Sequence, residues 1–429
     1  MKLERIYARE VLDSRGRPTV EAEVILDGAR GRSIAPSGAS TGTHEALELR
    51  DAKPTRFSGF GVRKAVANVN SQIASQATGR RFNSIADFDR FLIELDGTSN
   101  KSTFGANAIL AASLAFAHAF ASASNQPLYH LFAKAMRGQP SMPLPMINIL
   151  SGGLHAGRQL DFQDFLIVPH GAKSIMQALE WTHEIYKVAL SRCVKKTGYN
   201  PQLVADEGGI GPNLPSNAAA LVLLSGSIRD AGFSPGTVGI AVDVAASHFY
   251  SDGVYQMKAD GKRRTSRAMV TYLERLADKH PVISIEDGLA EDDWDGWELL
   301  TERLGPRLQL LGDDLFVTNT SRLQQGIDRS VANAVLIKLN QIGTVTETLQ
   351  AMSLARQARY GTVVSARSGE TEDATMSDLA VGSGAAQIKI GSITRSSRLA
   401  KYNQLLRLSE NADVAHWKKR GWAWDSAAR

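Results

Sequence analysis

Seven short apolar runs in this chain end in an acid or a base. Ile283–Ser284–Ile285 runs into Glu286 and Asp287, and Leu308–Gln309–Leu310–Leu311 passes through Gly312 into Asp313 and Asp314. Val335–Leu336–Ile337 delivers Lys338, Val363–Val364–Ser365 precedes Arg367, and Ile388 delivers Lys389. Upstream, Val204–Ala205 leads to Asp206–Glu207, and Ile240–Ala241–Val242 leads to Asp243. Acids on separate strands are oxygen donors for a hard cation. Arg367 offers a planar fork suited to phosphate oxygens, and Ser368 adds a hydroxyl. In an α/β barrel the carboxyl ends of the strands form the active-site face, so the series predicts one catalytic site built from many strands.

The elements that must position these residues follow from periodicity. Residues 1 to about 60 alternate and turn like strands, with Thr19 to Leu26 as one strand and Asp27–Gly28 as the turn. Val62, Val66, Val69 and Ile73 fall at helical spacing, as do Phe88, Phe91, Leu92 and Leu95. Residues 105–121 are apolar on every side and predict a helix covered on several faces. Gly138–Gln139–Pro140 and Pro143–Leu144–Pro145 then punctuate the chain. Beyond them strands and helices alternate in the rhythm of a barrel. The clearest helix is predicted from Ser266, read as its cap, to His280, with Val270, Leu273 and Leu276 buried. The expected architecture is α/β: a small amino-terminal α+β domain, residues 1–138, and a (β/α)8 barrel, residues 139–429.

Composition narrows the function classes. With 429 residues and 43% hydrophobic content the chain can bury a large core. No membrane span and no signal peptide are expected from the apolar runs and from Met1-Lys2-Leu3-Glu4-Arg5. The single cysteine, Cys193, excludes an internal disulfide framework and fits a cytoplasmic setting. The net charge of +5 is diffuse, which suits a small anionic substrate better than nucleic acid.

Several blocks resemble the enolase family in one order along nearly the whole chain. They include Ala8 to Glu21, Pro36–Ser37–Gly38–Ala39–Ser40–Thr41–Gly42, Asp206–Glu207–Gly208–Gly209 and Ser284–Ile285–Glu286–Asp287–Gly288–Leu289. Gly312–Asp313–Asp314–Leu315, Ile337 to Gly343, Arg367 to Asp373 and Arg398 to Arg407 continue the series. The resemblance implies removal of the proton beside a carboxylate, then loss of hydroxide from the next carbon. It also implies a barrel irregular near its start, and a homodimer or higher oligomer.

The resemblance assigns roles residue by residue. Asp243, Glu286 and Asp313 would hold one Mg²⁺, and a second Mg²⁺, arriving with substrate, would involve the loop at Ser40. Lys338 would be the base; a lysine or histidine base beside Mg²⁺ is the known pattern of enolase-superfamily sites. Its free pKa of about 10.4 should be pushed down by the metal ions and Lys389. Glu207 would protonate the leaving hydroxyl. Arg367 and Ser368 would hold the phosphate, Lys389 the carboxylate, and His155, Gln163 and the catalytic carboxylate Asp164 would come from a covering loop.

Departures from the family pattern gather around the substrate. Enolases usually read Ser-His-Arg-Ser-Gly where this chain has Ser365–Ala366–Arg367–Ser368–Gly369, and Gln-Glu-Phe where it has Gln163–Asp164–Phe165. Ser151 replaces the usual Asn before Gly152–Gly153, Leu154 and Arg158 are unusual, and His248 stands where Ala-Ser-Glu-Phe has its acid. Three readings stay open. One is an ordinary enolase-type lyase acting on 2-phosphoglycerate. Another resembles carboxyphosphonoenolpyruvate synthase, with Ala366 giving room for a larger phosphonate group brought as a CMP ester and Arg158 either docking the nucleotide or lying solvated. The last is an enolase scaffold with a binding role. The basic aromatic run Trp417–Lys418–Lys419–Arg420–Gly421–Trp422–Ala423–Trp424 reads as rings packed on the protein with lysines in water.

Overall fold

The structure, a computed structural model, describes residues 1–39 and 41–417. Three antiparallel strands open it: β1 (Leu3–Leu12), β2 (Pro18–Leu26) and β3 (Ala29–Ile34). The β2–β3 hairpin closes at the predicted turn. Asp27 and Gly28 both have positive φ, and Leu26 pairs with Ala29, the geometry of a two-residue turn matched to strand twist.

The apolar helix Ala106–Ala123 lies across β2 and β3. A Cβ on Gly31 would sit 2.1 Å from the Ala119 backbone nitrogen, so glycine is what lets the helix approach β3. By length and composition this helix is apolar enough to cross a membrane, but it is 78% buried as the core of the amino-terminal layer. Helix Ile85–Asp96 packs beside it through Phe88, stacked on Phe116 at 4.2 Å between ring centroids.

The remaining chain forms a closed barrel of eight strands among the described residues. These are β4 (Leu144–Ser151), β5 (Asp164–Val168) and β6 (Gly239–Asp243). After a small three-stranded sheet, β7 (Tyr250–Ser251), β8 (Val254–Met257) and β9 (Lys262–Arg264), come β10 (Val282–Glu286) and β11 (Gln309–Gly312). β12 (Ala334–Ile337), β13 (Gly361–Ser365) and β14 (Gln387–Gly391) follow, and β14 pairs with β4 to close the ring. β5 runs antiparallel to both neighbours and every other pair is parallel. That hairpin is the irregularity expected near the barrel's start.

Alternation on the strands sorts the two cores. Leu144, Met146, Leu166, Val168, Ala334 and Leu336 share the barrel interior, while Ile147, Ile167, Val335 and Ile337 face the helices. Strands buried on both faces read as continuous apolar runs, which is why the strand ends stand out in the sequence.

Two local expectations are corrected. Val204–Ala205 is no strand. Residues 201–209 form turns and loop, with Ala205 N–H bonded to Gly209 O at 2.8 Å, so Glu207 comes from a loop. Helix Ser266–Lys279 buries Val270, Leu273 and Leu276 as expected, but its cap is Thr265, whose side chain accepts from Ala268 N. Trp417 packs as expected, donating Nε1–H to Ala172 O at 3.0 Å. The rest of the tail run, and Ser40, lie outside the described residues.

The amino-terminal layer is tied to the barrel mouth. Ser37 and Gly369 exchange both backbone hydrogen bonds at 2.8 Å. A Cβ at Gly369 would lie 2.3 Å from both Arg15 Nη2 and Asp13 Oδ2, so only glycine permits the contact. The segment after β3 continues across the mouth, where Thr43 N bonds Glu291 Oε2 at 3.0 Å.

Candidate active site

Strand register lays out the floor of the mouth. Asp164 pairs with Asp243 across β5–β6, and Asp243 with Glu286 across β6–β10. Because β5 is reversed, its first residue falls on the same face as the last residues of its neighbours. Asp313 follows β11, Lys338 follows β12, and Lys389 sits in β14 opposite Ser365.

Two lysines bind this acidic row. Lys389 Nζ donates to Asp243 Oδ2 at 2.8 Å and Glu286 Oε2 at 2.7 Å, and Lys338 Nζ donates to Asp313 Oδ2 at 2.5 Å. Burial would lower the pKa of Lys389, but the two carboxylates hold it well above the ordinary value. Lys338 behaves the same way: burial, Arg367 and Lys389 pull it down, and the carboxylates around it, Asp313 first and then Glu286, hold it above its ordinary value. The expected downward shift of Lys338 is therefore reversed in this arrangement, because the nearest charge is an anion.

The acids themselves are crowded. Burial first, then the charge of Asp243, pushes Glu286 well above the usual carboxylate range. Its Oε1 is buried without a hydrogen-bond partner, as is Gln163 Oε1. Gln163 donates Nε2–H to Asp243 Oδ2 at 3.3 Å. Ligand oxygens within 4.8 Å of one another occur as Asp287–Asp313–Asp314, and with nitrogen as His155–Asp164–Glu207. Asp287 there is a backbone clamp, accepting from Asp313 N at 2.9 Å and Asp314 N at 2.8 Å. The set Asp243, Glu286 and Asp313 does not converge so closely, since a lysine ammonium stands at each of its members.

At the start of β5 Asp164 is fully buried and accepts three bonds: from Asn148 Nδ2 at 2.5 Å, Ser151 Oγ at 3.1 Å and, from the loop before the strand, His155 Nδ1 at 2.9 Å. His155 Nε2 lies 3.9 Å from Glu207 Oε1. Burial disfavours the charged imidazole, yet Asp164 and Glu207 outweigh it and raise His155 to about 9. Burial opposes the charge on Glu207 too, but Arg398, 3.8 Å away, and His155 hold it below its ordinary value.

The expected phosphate grip is engaged by protein groups. Arg367 Nη1 donates to Glu45 Oε2 at 2.9 Å and Asn340 Oδ1 at 3.1 Å. Ser368 Oγ accepts from Ala39 N at 2.6 Å and Arg15 Nη1 at 3.2 Å. The structure thus brings Asp164, Asp243, Glu286, Asp313, Lys338, Lys389, Glu207, His155 and Gln163 to one mouth, with Arg367 and Ser368 at its amino-terminal rim.

Sequence reasoning missed the partners of these groups. Glu45 caps Arg367, Gln341 Nε2 donates to Asp313 Oδ1 at 2.8 Å, and Asn148 with Ser151 holds Asp164. Arg398 is wholly buried, bonding Ile390 O at 2.9 Å and Ser368 O at 2.8 Å. Glu45, in Glu45–Ala46–Leu47–Glu48–Leu49–Arg50–Asp51, and Gln341 and Arg398 lie within blocks that resemble the family, and Ser151 is a departure from it, but only contacts across the fold give each its task.

A closed α/β barrel that gathers acids and lysines at the carboxyl ends of its strands belongs to the barrel enzymes. Residues 3–132 match the enolase N-terminal domain, and residues 139–421 match the enolase C-terminal TIM barrel domain. The chain belongs to the enolase family and is an enolase-superfamily lyase.

Proposed function

We propose that this enzyme removes the proton beside the carboxylate of 2-phosphoglycerate, or a close analogue, and expels the neighbouring hydroxyl as water to leave a phosphoenolpyruvate-type product. The observation carrying this reading is the pair of lysines, Lys338 and Lys389, set against Asp313, Asp243 and Glu286 on adjoining strand ends. A base and an anion-holding cation are what proton abstraction beside a carboxylate needs.

The donor set fits Mg²⁺. Asp243, Glu286 and Asp313 are hard oxygen donors, mutually repelling, and the orphaned Glu286 Oε1 calls for a positive partner. The family's second Mg²⁺ would involve the Ser40 loop. When bound, Mg²⁺ supplies charge that stabilises the doubly anionic carboxylate formed on proton loss.

A cation held by Asp313 would remove the largest upward pull on Lys338. Burial, Arg367 and Lys389 would then work against Glu286 to favour the neutral amine that accepts the proton. Lys389, released from Asp243 and Glu286, holds the substrate carboxylate. Arg367 and Ser368 take the phosphate once Glu45 gives way. Glu207 rests as a carboxylate, so it must receive a proton before handing one to the departing hydroxyl. His155, which stays protonated up to about pH 9, is the proton-bearing neighbour, and Asp164 fixes its ring.

A second reading is a carboxyphosphonoenolpyruvate synthase-type reaction, with the same base and a phosphonoformyl unit brought as its CMP ester. Ala366 favours it, since only a methyl group stands directly before Arg367. The test is Mg²⁺-dependent formation of enolpyruvate absorbance from 2-phosphoglycerate, with Lys338→Ala as blank. Turnover lost in that variant supports the first reading. Absence of turnover until CMP-phosphonoformate is added supports the second, and absence with both sinks both.

A further inference from the structure

One buried amide ties together three parts of the site. Gln341 lies on the short helix Leu339–Ile342, which begins directly after Lys338, and it is 1% exposed. Its Nε2 donates to Asp313 Oδ1 at 2.8 Å and to Glu45 Oε1 at 3.4 Å, and its Oε1 accepts from Thr318 Oγ1 at 2.8 Å. These neighbours fix which way the amide faces. Turned over, it would set its oxygen against two carboxylates, so the NH₂ group stands there. The main chain adds a further contact: Ala46 N–H bonds Gln341 O at 2.8 Å, docking the segment that brings Glu45.

Thr318 carries the link on to the base. Its hydroxyl accepts the main-chain N–H of Lys338 at 2.9 Å, which leaves its own proton for Gln341. The backbone is strained to make this contact. Val317 and Thr318 adopt φ 43° and 55°, and both are β-branched and buried. Branched side chains are outliers in that left-handed region, held there only where the surroundings enforce it, and such strain gathers at functional sites. The turn that holds them begins at Asp313, whose carbonyl accepts from Phe316 N at 3.1 Å and Val317 N at 2.8 Å. One strained loop after β11 thus carries Asp313 at its start and the anchor of Lys338 at its end.

The bonds around Asp313 leave one oxygen for exchange. Its main-chain N–H is held by Asp287 Oδ1 at 2.9 Å, and Gln341 occupies Oδ1 of its side chain. Oδ2 remains, on the Lys338 ammonium at 2.5 Å. Outer donors that orient a ligand in this way tune a metal site nearly as strongly as the ligands do.

We infer, on the reading of Asp313 as a cation ligand and Lys338 as the base, that Gln341, anchored by Thr318, is a positioning residue. It limits Asp313 to a single cation-facing oxygen, Oδ2, while the same hydroxyl holds the main chain of Lys338 so that its amine reaches that oxygen.

The test is calorimetric titration of the full chain with Mg²⁺ alone, beside steady-state turnover of 2-phosphoglycerate, in wild type, Gln341→Met, Thr318→Val and Thr318→Ser. Methionine and valine keep nearly the shape and remove the polar groups. Gln341→Met should raise the Mg²⁺ Kd at least about tenfold, the usual cost of losing an outer partner of a metal ligand. Thr318→Val, which frees the amide of Gln341, should raise it about threefold and lower kcat about tenfold, with KM changed less than about twofold. Thr318→Ser keeps the hydroxyl and should regain most of both losses. Thermal melts show that each variant is folded, and a purely structural role would move the melts alone. An Mg²⁺ Kd for Gln341→Met within about twofold of wild type would overturn the inference. So would Thr318→Ser as impaired as Thr318→Val, or absence of Mg²⁺ binding by the wild type. A wild type that binds Mg²⁺ but leaves 2-phosphoglycerate unchanged would sink the proposed reaction alone, and the Mg²⁺ affinities of the three variants would still decide the role of Gln341.

Discussion

Raising the pH from 6.5 to 9 should cost the folded protein about 3 kcal/mol through His155 alone. Its folded pKa of about 9 stands above the free value of 6.5 because Asp164 and Glu207 outweigh burial. Each unit is worth about 1.4 kcal/mol, and the side chain is fully enclosed, so solvent screening does not reduce the figure much. The sign follows from proton counting. Between these pH values folded His155 keeps a proton that the unfolded chain has released. The stabilisation is therefore complete below pH 6.5 and is lost as pH rises through 9. The buried carboxyls of Glu286, Asp287 and Asp314 are raised well above the usual range, first by burial and then by one another's charge or that of neighbouring acids. They also cost stability as pH rises, so the comparison with a His155 variant isolates the histidine's share. His118, His248 and His280 are lowered mainly by burial, so their contributions change below pH 6.5, while burial raises the Cys193 thiol to about 12, which matters above pH 9. The assay is urea unfolding at half-unit pH steps with EDTA present, in wild type and His155→Gln. The wild type should lose about 3 kcal/mol more across the window than the variant does. Equal slopes in the two would refute the charged His155–Asp164 pair.

Three further outcomes follow from particular contacts. Asp164→Glu, although it restores the usual family residue, should cost about 1–3 kcal/mol by overfilling a site closed by Asn148, Ser151 and His155, and a misplacement of roughly 1 Å should slow turnover about 10²-fold; urea unfolding and kcat check it. Glu45→Gln should take from Arg367 the carboxylate bonded to it, lowering stability by about 3 kcal/mol while reducing KM for a phosphorylated substrate; a lower Tm with an unchanged KM would remove Glu45 from the gate to Arg367. Gly31→Ala should destabilise by several kcal/mol, because its Cβ meets backbone that cannot rotate away; a melting temperature within a degree of wild type would show that the helix can shift.

Much of the barrel is readable because its strands are apolar on both faces and stop abruptly at a charge. Ile337–Lys338 and Val242–Asp243 show that edge, and the strands fall there. The same rule misplaces Glu207, since Val204–Ala205 is a short apolar step inside a loop and two residues carry no periodicity. Ser266 reads as a cap because serine is the better capping residue of the two in Thr265–Ser266, and only the bond from Ala268 N picks Thr265.

Residue order by itself determined the barrel rhythm, the acids and lysines at its strand ends and the departures at Asp164, Ala366, Arg158 and His248. These are properties of local pattern, legible wherever side-chain period and strand length repeat. Tertiary structure alone decided that Lys389 spans Asp243 and Glu286, that Glu45 holds Arg367 and that His155 is charged. It also decided that Gln341 bridges Asp313, Glu45 and Thr318. Such pairings join residues up to 322 positions apart, as Glu45 and Arg367 are, and sequence spacing carries no information about a distance set by barrel closure.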